Sequence, residues 1–172
     1  MEALLKISDG IDNVVTRVGK LASLLAIPLM FVIIYDVIQR KFGGQGSIKL
    51  QELEWHLHTG LFMLCFGYAY VRDSHVRIEL IRDQLRPRTR AIVEMIGGIL
   101  CALPFCALVI YFGFDFVVRS YDNNEVSAAT TGLTHRWIIK STIPIGFGLL
   151  AMAGLSIFLK CYVFVFGPTN LR

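Results

Sequence analysis

Glu52 and His56 stand four residues apart, as do Glu54 and His58, within the short segment LQELEWHLH. On a helix that spacing puts each carboxylate and imidazole on one face, with Cβ atoms about 5–6 Å apart. Such pairs can form a polar cluster that docks a partner or lines a water-filled cavity. They can equally be interfacial pairs, each worth about 0.2–0.5 kcal/mol. Glu/His at this spacing also occurs in metal sites, but the two pairs point to nearly opposite faces, which makes a shared ion awkward to hold.

The remaining chemistry-bearing residues narrow the field. A haem-bearing membrane anchor of a respiratory enzyme needs axial ligands on facing helices. His56 and His135 are a conceivable pair, yet none of His56, His58, His75 and His135 lies inside an apolar core. The four cysteines, Cys65, Cys101, Cys106 and Cys161, all fall in apolar runs without the paired spacing of zinc or iron–sulfur sites. They read as small buried apolar residues. There is no GxxxxGK[ST] phosphate loop, and no nucleophile stands beside an obvious base. The sequence therefore predicts neither an enzyme acting alone nor a bound cofactor.

The elements that must position these residues are four long apolar runs. Apolar residues make up 55% of the chain and charged residues 17%, against about 25% charged in soluble domains. A soluble bundle would carry charge along one face of each helix, whereas AIVEMIGGILCALPFCALVIYFGFDFVV is apolar all round, with Glu94 and Asp115 near its ends. A bilayer core of about 30 Å needs roughly 20 apolar residues per helix, and inside lipid each backbone group must be satisfied within its own segment. The predicted fold is an all-α membrane protein, a single domain over 1–172 with four transmembrane helices at about 18–39, 50–71, 91–118 and 138–166. The first run is too long for a signal-peptide core, so the first helix is expected to stay.

Leu4, Ile11, Val15 and Val18 recur at helical spacing, which predicts a short amphipathic helix at the inner membrane surface leading into the first span. Pro28, Pro104 and Pro144 are expected kinks. The second span is short unless extended back through its acidic, Trp55-bearing start, which must then sit in the interface or against a partner. Gly60, Gly67, Gly146 and Gly148 permit close helix approach. The connector VRDSHVRIELIRDQLRPRTR is basic with some apolar content and is expected to lie along the cytoplasmic surface, with Arg77, Arg82 and Arg88 touching anionic headgroups or merely setting topology.

Charge distribution orients the chain. With the N-terminus inside, Lys6, Arg17, Lys20, Arg72, Arg77, Arg82, Arg86, Arg88, Arg90, Lys160 and Arg172 lie on the inner side. Arg40, Lys41, Lys49, Arg119, Arg136 and Lys140 then lie outside. The positive-inside bias favours both termini in the cytoplasm. The excess of positive residues sits at membrane edges and does not point to nucleic acid. RSYDNNEVSAATTGLTHRW is then the largest outward element, the natural place to meet an external protein. A purely structural four-span organiser of other helices also fits the small-residue faces.

Two stretches separate these readings. LQELEWHLHTGLFMLCFGYAYVRDSHVRIELIRDQLRPRTR resembles the second-helix signature of the small membrane (Q-type) subunits of tripartite ATP-independent periplasmic (TRAP) transporters. Its elements here are Glu52, Glu54, Trp55, Gly67, His75, Val76, Glu79, Leu85, Pro87 and Arg90. RWIIKSTIPIGFGLLAM is similar to that family's fourth-helix start through Ile143, Pro144, Ile145, Gly146 and Phe147, and Arg40 closing the first helix also fits. The resemblance runs in order over essentially the whole chain. The Trp55-His56-Leu57-His58 run points to a subgroup and leaves the substrate open.

The resemblance implies a multi-pass subunit of the bacterial inner membrane, part of a sodium-coupled symporter for organic acids. A periplasmic binding protein would deliver the substrate to a large membrane subunit that translocates it. The small subunit would form a heterodimer with that large subunit and serve as fixed scaffold, holding neither substrate nor sodium. The expected partner contacts are Glu52, Glu54, Trp55, His56, Arg119, Arg136 and Trp137 near the outer face. Within the membrane they are Gly60, Gly67, Pro144, Gly146 and Gly148.

Overall fold

A computed structural model describes residues 1–44, 46–74, 85–129 and 131–168. Among these the chain is helical and carries no strand. The elements are α1 (Glu2–Ser23), α2 (Ala26–Gly43), α3 (Ile48–Val71), α4 (Pro87–Gly97), a π-helical turn (Gly98–Ala102), α5 (Leu103–Asp122) and α6 (Trp137–Phe166).

The first two helices share one buried stripe. Leu4, Ser8, Ile11, Val15, Val18, Ala22, Leu25, Leu29, Val32, Asp36 and Gln39 alternate at steps of four and three, and each is buried or half-buried. This 3.5-residue period is the seam of a coiled-coil-like packing, which keeps one edge of a long helix facing its neighbours. The stripe meets α3 and α6 along α1, then α3 along α2. Val15 joins Leu149 and Ala153 in the core, with Ile11, Val18, Leu64 and Tyr68 packed around them. The expected surface-lying amphipathic segment is thus a full member of the bundle, because its apolar stripe has two helices to bury against.

The three prolines act differently. Pro28 interrupts the first unit just before itself. Leu25 N–H reaches Ala22 O at 2.9 Å and Ile27 N–H reaches Leu24 O at 3.1 Å, both tighter three-residue bonds. A proline ring collides with the carbonyl four residues back, here Leu24, so the break falls at 24–25. Pro104 follows the π turn, in which Leu103 N–H bonds Gly98 O; such turns absorb an interrupted ladder. Pro144 lies inside α6 without ending it. Ser141 and Thr142 turn their hydroxyls onto the Ile138 and Ile139 carbonyls, each at 2.6 Å, as helix hydroxyls commonly do.

α6 is the hub on which α1, α3, α4 and α5 pack, with α2 held by α3. A Cβ on Gly67 would stand 2.6 Å from the Leu149 carbonyl oxygen, and one on Gly146 would stand 2.6 Å from that of Met63. The backbones of α3 and α6 therefore touch, as small residues permit between membrane helices. Phe147 meets Phe66 and Phe105 edge-on, each at 5.8 Å between centroids.

Among the described residues, three units are long and apolar enough to cross a membrane: Glu2–Gly43, Pro87–Asp122 and Trp137–Phe166. α3 has 24 residues, about 36 Å at helical rise. Its first three turns carry Lys49, Glu52, Glu54, His56 and His58. It is shorter than those units and more polar, so the expected second span, 50–71, is not among them. One end of the bundle holds the α2–α3 turn and the α5–α6 loop (the loop end). The other holds the start of α1 and the end of α6. The expected interfacial connector, with Arg77 and Arg82, lies largely outside the described residues.

Candidate functional site

The polar groups at the loop end converge on Glu52. Its carboxylate accepts the Leu133 N–H at 2.6 Å and the Ser127 hydroxyl. Both donors belong to the segment between α5 and α6, so one side chain of α3 ties down a loop some eighty residues away. The loop also closes on itself. Ser127 N–H bonds Leu133 O at 3.1 Å, Gly132 N–H bonds Ala129 O at 3.0 Å, and Arg136 N–H bonds Glu125 O at 3.3 Å. Gly132 sits where a Cβ would collide with Ser127 and with the Glu52 carboxylate. Asn124 and His135, at the two ends of the loop, are both left-handed, with φ of 45° and 61°. These reversals are uncommon for side-chain-bearing residues and aim the loop back over α3.

A second tie comes from α6. Lys140 pairs with Glu125 and lies 3.8 Å above the centre of the Phe116 ring. The ammonium holds the Glu125 carboxyl below the usual carboxylate range. Trp137 packs edge-on against Tyr121 at 5.6 Å, joining the last turn of α5 to the first of α6. Loop and helix ends form one braced cap.

The predicted site residues separate into groups. Glu52 is engaged inside the chain, and so is Trp137. His56 sends Nδ1 to the Glu52 carbonyl at 2.6 Å; that nitrogen must donate, since a carbonyl only accepts. The Glu52–His56 relationship is thus a side-chain-to-backbone bond and not a pairing of the two side chains. Trp55 is 61% exposed. Arg119 is exposed and paired with Asp115 at 2.6 Å. Glu54 and Arg136 are half-buried near the same end, and Arg88 is exposed at the opposite end.

Among the small residues, Gly67 and Gly146 are consumed by the α3–α6 contact, and a Cβ on Gly60 would meet Leu25 at 3.6 Å. Pro144 lies against Gly113 of α5, 3.5 Å from where a Cβ would be. The close-approach surfaces read as partner-facing are therefore used largely within the chain. Gly148 has nothing within 4 Å of a built Cβ.

Sequence reasoning missed the network at the opposite end. Ser8 and Ser156 are fully buried, with hydroxyl oxygens 2.7 Å apart. The Ser156 hydroxyl bonds the Asp12 carboxylate, which also pairs with Lys160. Ser8 falls on the heptad stripe, and its seam position was the available clue. A cleft of about 730 Å³ nearby is lined by Tyr70, Arg90, Glu94 and the Val93–Phe105 face of α4, the π turn and α5. Among the described residues, no three of His, Cys, Asp and Glu are grouped to hold a metal ion.

The loop end is a braced polar cap whose side chains hold loop backbone. The family described as tripartite ATP-independent periplasmic transporters, DctQ component, matches residues 29–162. The chain belongs to this family. No curated protein matches it. As a TRAP small membrane subunit it is a transporter component of a non-enzymatic family, and it works with other TRAP components. The matched segment begins in α2 and ends in α6, so it includes both the α3–α6 contact and the braced cap of this small subunit. All of α1, with Ser8 and Asp12, lies before it.

Proposed function

We propose that this TRAP small subunit is the fixed scaffold of a sodium-coupled importer of an organic acid. It crosses the bacterial inner membrane four times, α3 being the second crossing, with both termini in the cytoplasm. In that orientation the loop end faces the periplasm and receives the substrate-binding protein. The large translocating subunit covers part of the membrane-facing surface.

The observation that carries this reading is the contrast between the two surfaces. The sides of α2 and α5 expose Phe31, Ile34, Tyr111, Phe112 and Phe114, more apolar area than a water-soluble surface tolerates. The loop end instead presents a polar cap held in one shape. An apolar flank for lipid and a partner helix, beneath a shaped polar top, suits a subunit standing between a membrane-embedded transporter and a soluble protein. Polar α3 becomes a tolerable span because the Glu52 carboxylate is satisfied by the loop above it.

Co-expression with the neighbouring transporter genes tests the reading. The expected result is a stable complex with a large polytopic subunit, and sodium-dependent uptake in proteoliposomes only when that subunit and the binding protein are present. Purification of this chain without a polytopic partner would overturn the proposal, and so would uptake by this chain alone. Cysteines placed at Asn123 and at Arg86 should label from opposite sides, Asn123 from the periplasm.

A further inference from the structure

We propose that Glu52 is a positioning residue, one that sets the shape in which the α5–α6 loop meets the soluble binding protein without itself touching it. The inference rests on the reading above that this loop is the docking surface. Fourteen residues separate Asp122 from Trp137, and helix-to-helix connections are usually about 2–8 residues long. A loop of that length adopts one conformation only if its backbone groups are held. Glu52 holds it at two points, the Leu133 N–H and the Ser127 hydroxyl. The Ser127 hydroxyl oxygen in turn accepts the Ala129 N–H at 3.2 Å. One carboxylate thereby organises the loop at Ser127, Ala129 and Leu133.

What this turn displays is a docking surface of modest polarity. Val126 is 58% exposed, and Ala128, Thr131, Thr134 and His135 are exposed beside it. The fitting partner is a soluble protein with a largely uncharged, hydrogen-bonding surface, met transiently. The arrangement also accounts for the weak hydropathy of α3. A carboxylate at the start of a membrane helix is costly, and here it is exchanged for a loop of fixed shape.

The test uses the assembled transporter in lipid nanodiscs. Glu52→Gln keeps the size of the side chain, removes its charge and turns one acceptor oxygen into a donor group. The expected result is normal assembly with the large subunit, at least tenfold faster amide exchange at Ser127–Leu133, and about tenfold weaker docking of the binding protein. Uptake should fall at low binding-protein concentration and recover at saturation, a behaviour that a merely misfolded scaffold would not show. Ser127→Ala, which removes one donor and keeps the charge, should move each readout the same way by less. If Glu52→Gln prevents assembly, Ser127→Ala carries the test. Unchanged exchange would overturn the positioning role, as would faster exchange with unchanged docking.

Val126→Glu leaves Glu52 in place and probes the docking surface alone. If it weakens docking while Glu52→Gln does not, only the positioning role fails. If neither weakens it, the loop is not the docking surface and the underlying reading fails too.

Discussion

Gly67 of α3 lies flat against Leu149 of α6, so close that a methyl group at Gly67 would stand 2.6 Å from the Leu149 carbonyl oxygen. With the matching approach of Gly146 to Met63, this contact sets the distance between the two helices that hold the bundle together. It also separates glycines that work inside the chain from one that does not.

Gly67→Ala and Gly146→Ala should each destabilise the protein by about 1–3 kcal/mol, since rigid backbone must move to admit the methyl group. Gly148→Ala meets open space. It should be neutral, or stabilising by up to about 1 kcal/mol through helix propensity. Thermal unfolding of the detergent-solubilised subunit checks all three.

Ser156→Ala removes the hydroxyl shared by Ser8 and Asp12. The loss should be about 1–2 kcal/mol, the usual consequence of leaving buried partners unsatisfied. Because this network ties α1 to α6, hydrogen exchange should rise in α1 before it rises in α3. Uniform protection along α1 in the variant would show that the apolar stripe holds the helix unaided.

Arg40 Nε pairs with Asp36 Oδ2 at 2.6 Å, and Asp36 is 3% exposed. Its other oxygen has no hydrogen-bond partner among the described residues. Arg40→Ala should therefore cost about 2 kcal/mol by stranding a buried carboxylate. Adding Asp36→Asn should recover part of that, because the neutral amide no longer needs a counter-charge. A double-mutant cycle on unfolding temperature measures the coupling.

The Glu125 carboxyl is held below its ordinary value of 4.5 by the Lys140 ammonium. A carboxyl lowered in the folded state stabilises that state above the unfolded value and loses the contribution as pH falls through the lowered one. The loop over residues 123–136 should thus stay protected at neutral pH and loosen on acidification below about 4.5. Lys140→Met should remove most of that dependence. Amide exchange of the loop across pH 3–7 provides the measurement, at a site outside the membrane-crossing segments.

Run length and composition alone determined that this is a helical membrane protein, because a bilayer demands long apolar segments whose hydrogen bonds close internally. The family likeness was equally legible, carried by Glu52, Trp55, Gly67, Pro144 and Gly146 at their spacings. The role of each of those residues was not. Glu52 and His56 look like a side-chain pair at i,i+4, yet one holds a distant loop and the other bonds its own helix. The partners of Glu52 lie 75 and 81 residues away, beyond any local periodicity. Gly67 and Gly146 advertise close approach without saying to what, and only the packed bundle directs them to each other's helices. Helical periodicity is a property of neighbours in sequence, so it reveals which face is buried. Which groups meet across that face is decided by tertiary packing, and at Glu52 that packing turned a polar helix start into the brace of the α5–α6 loop.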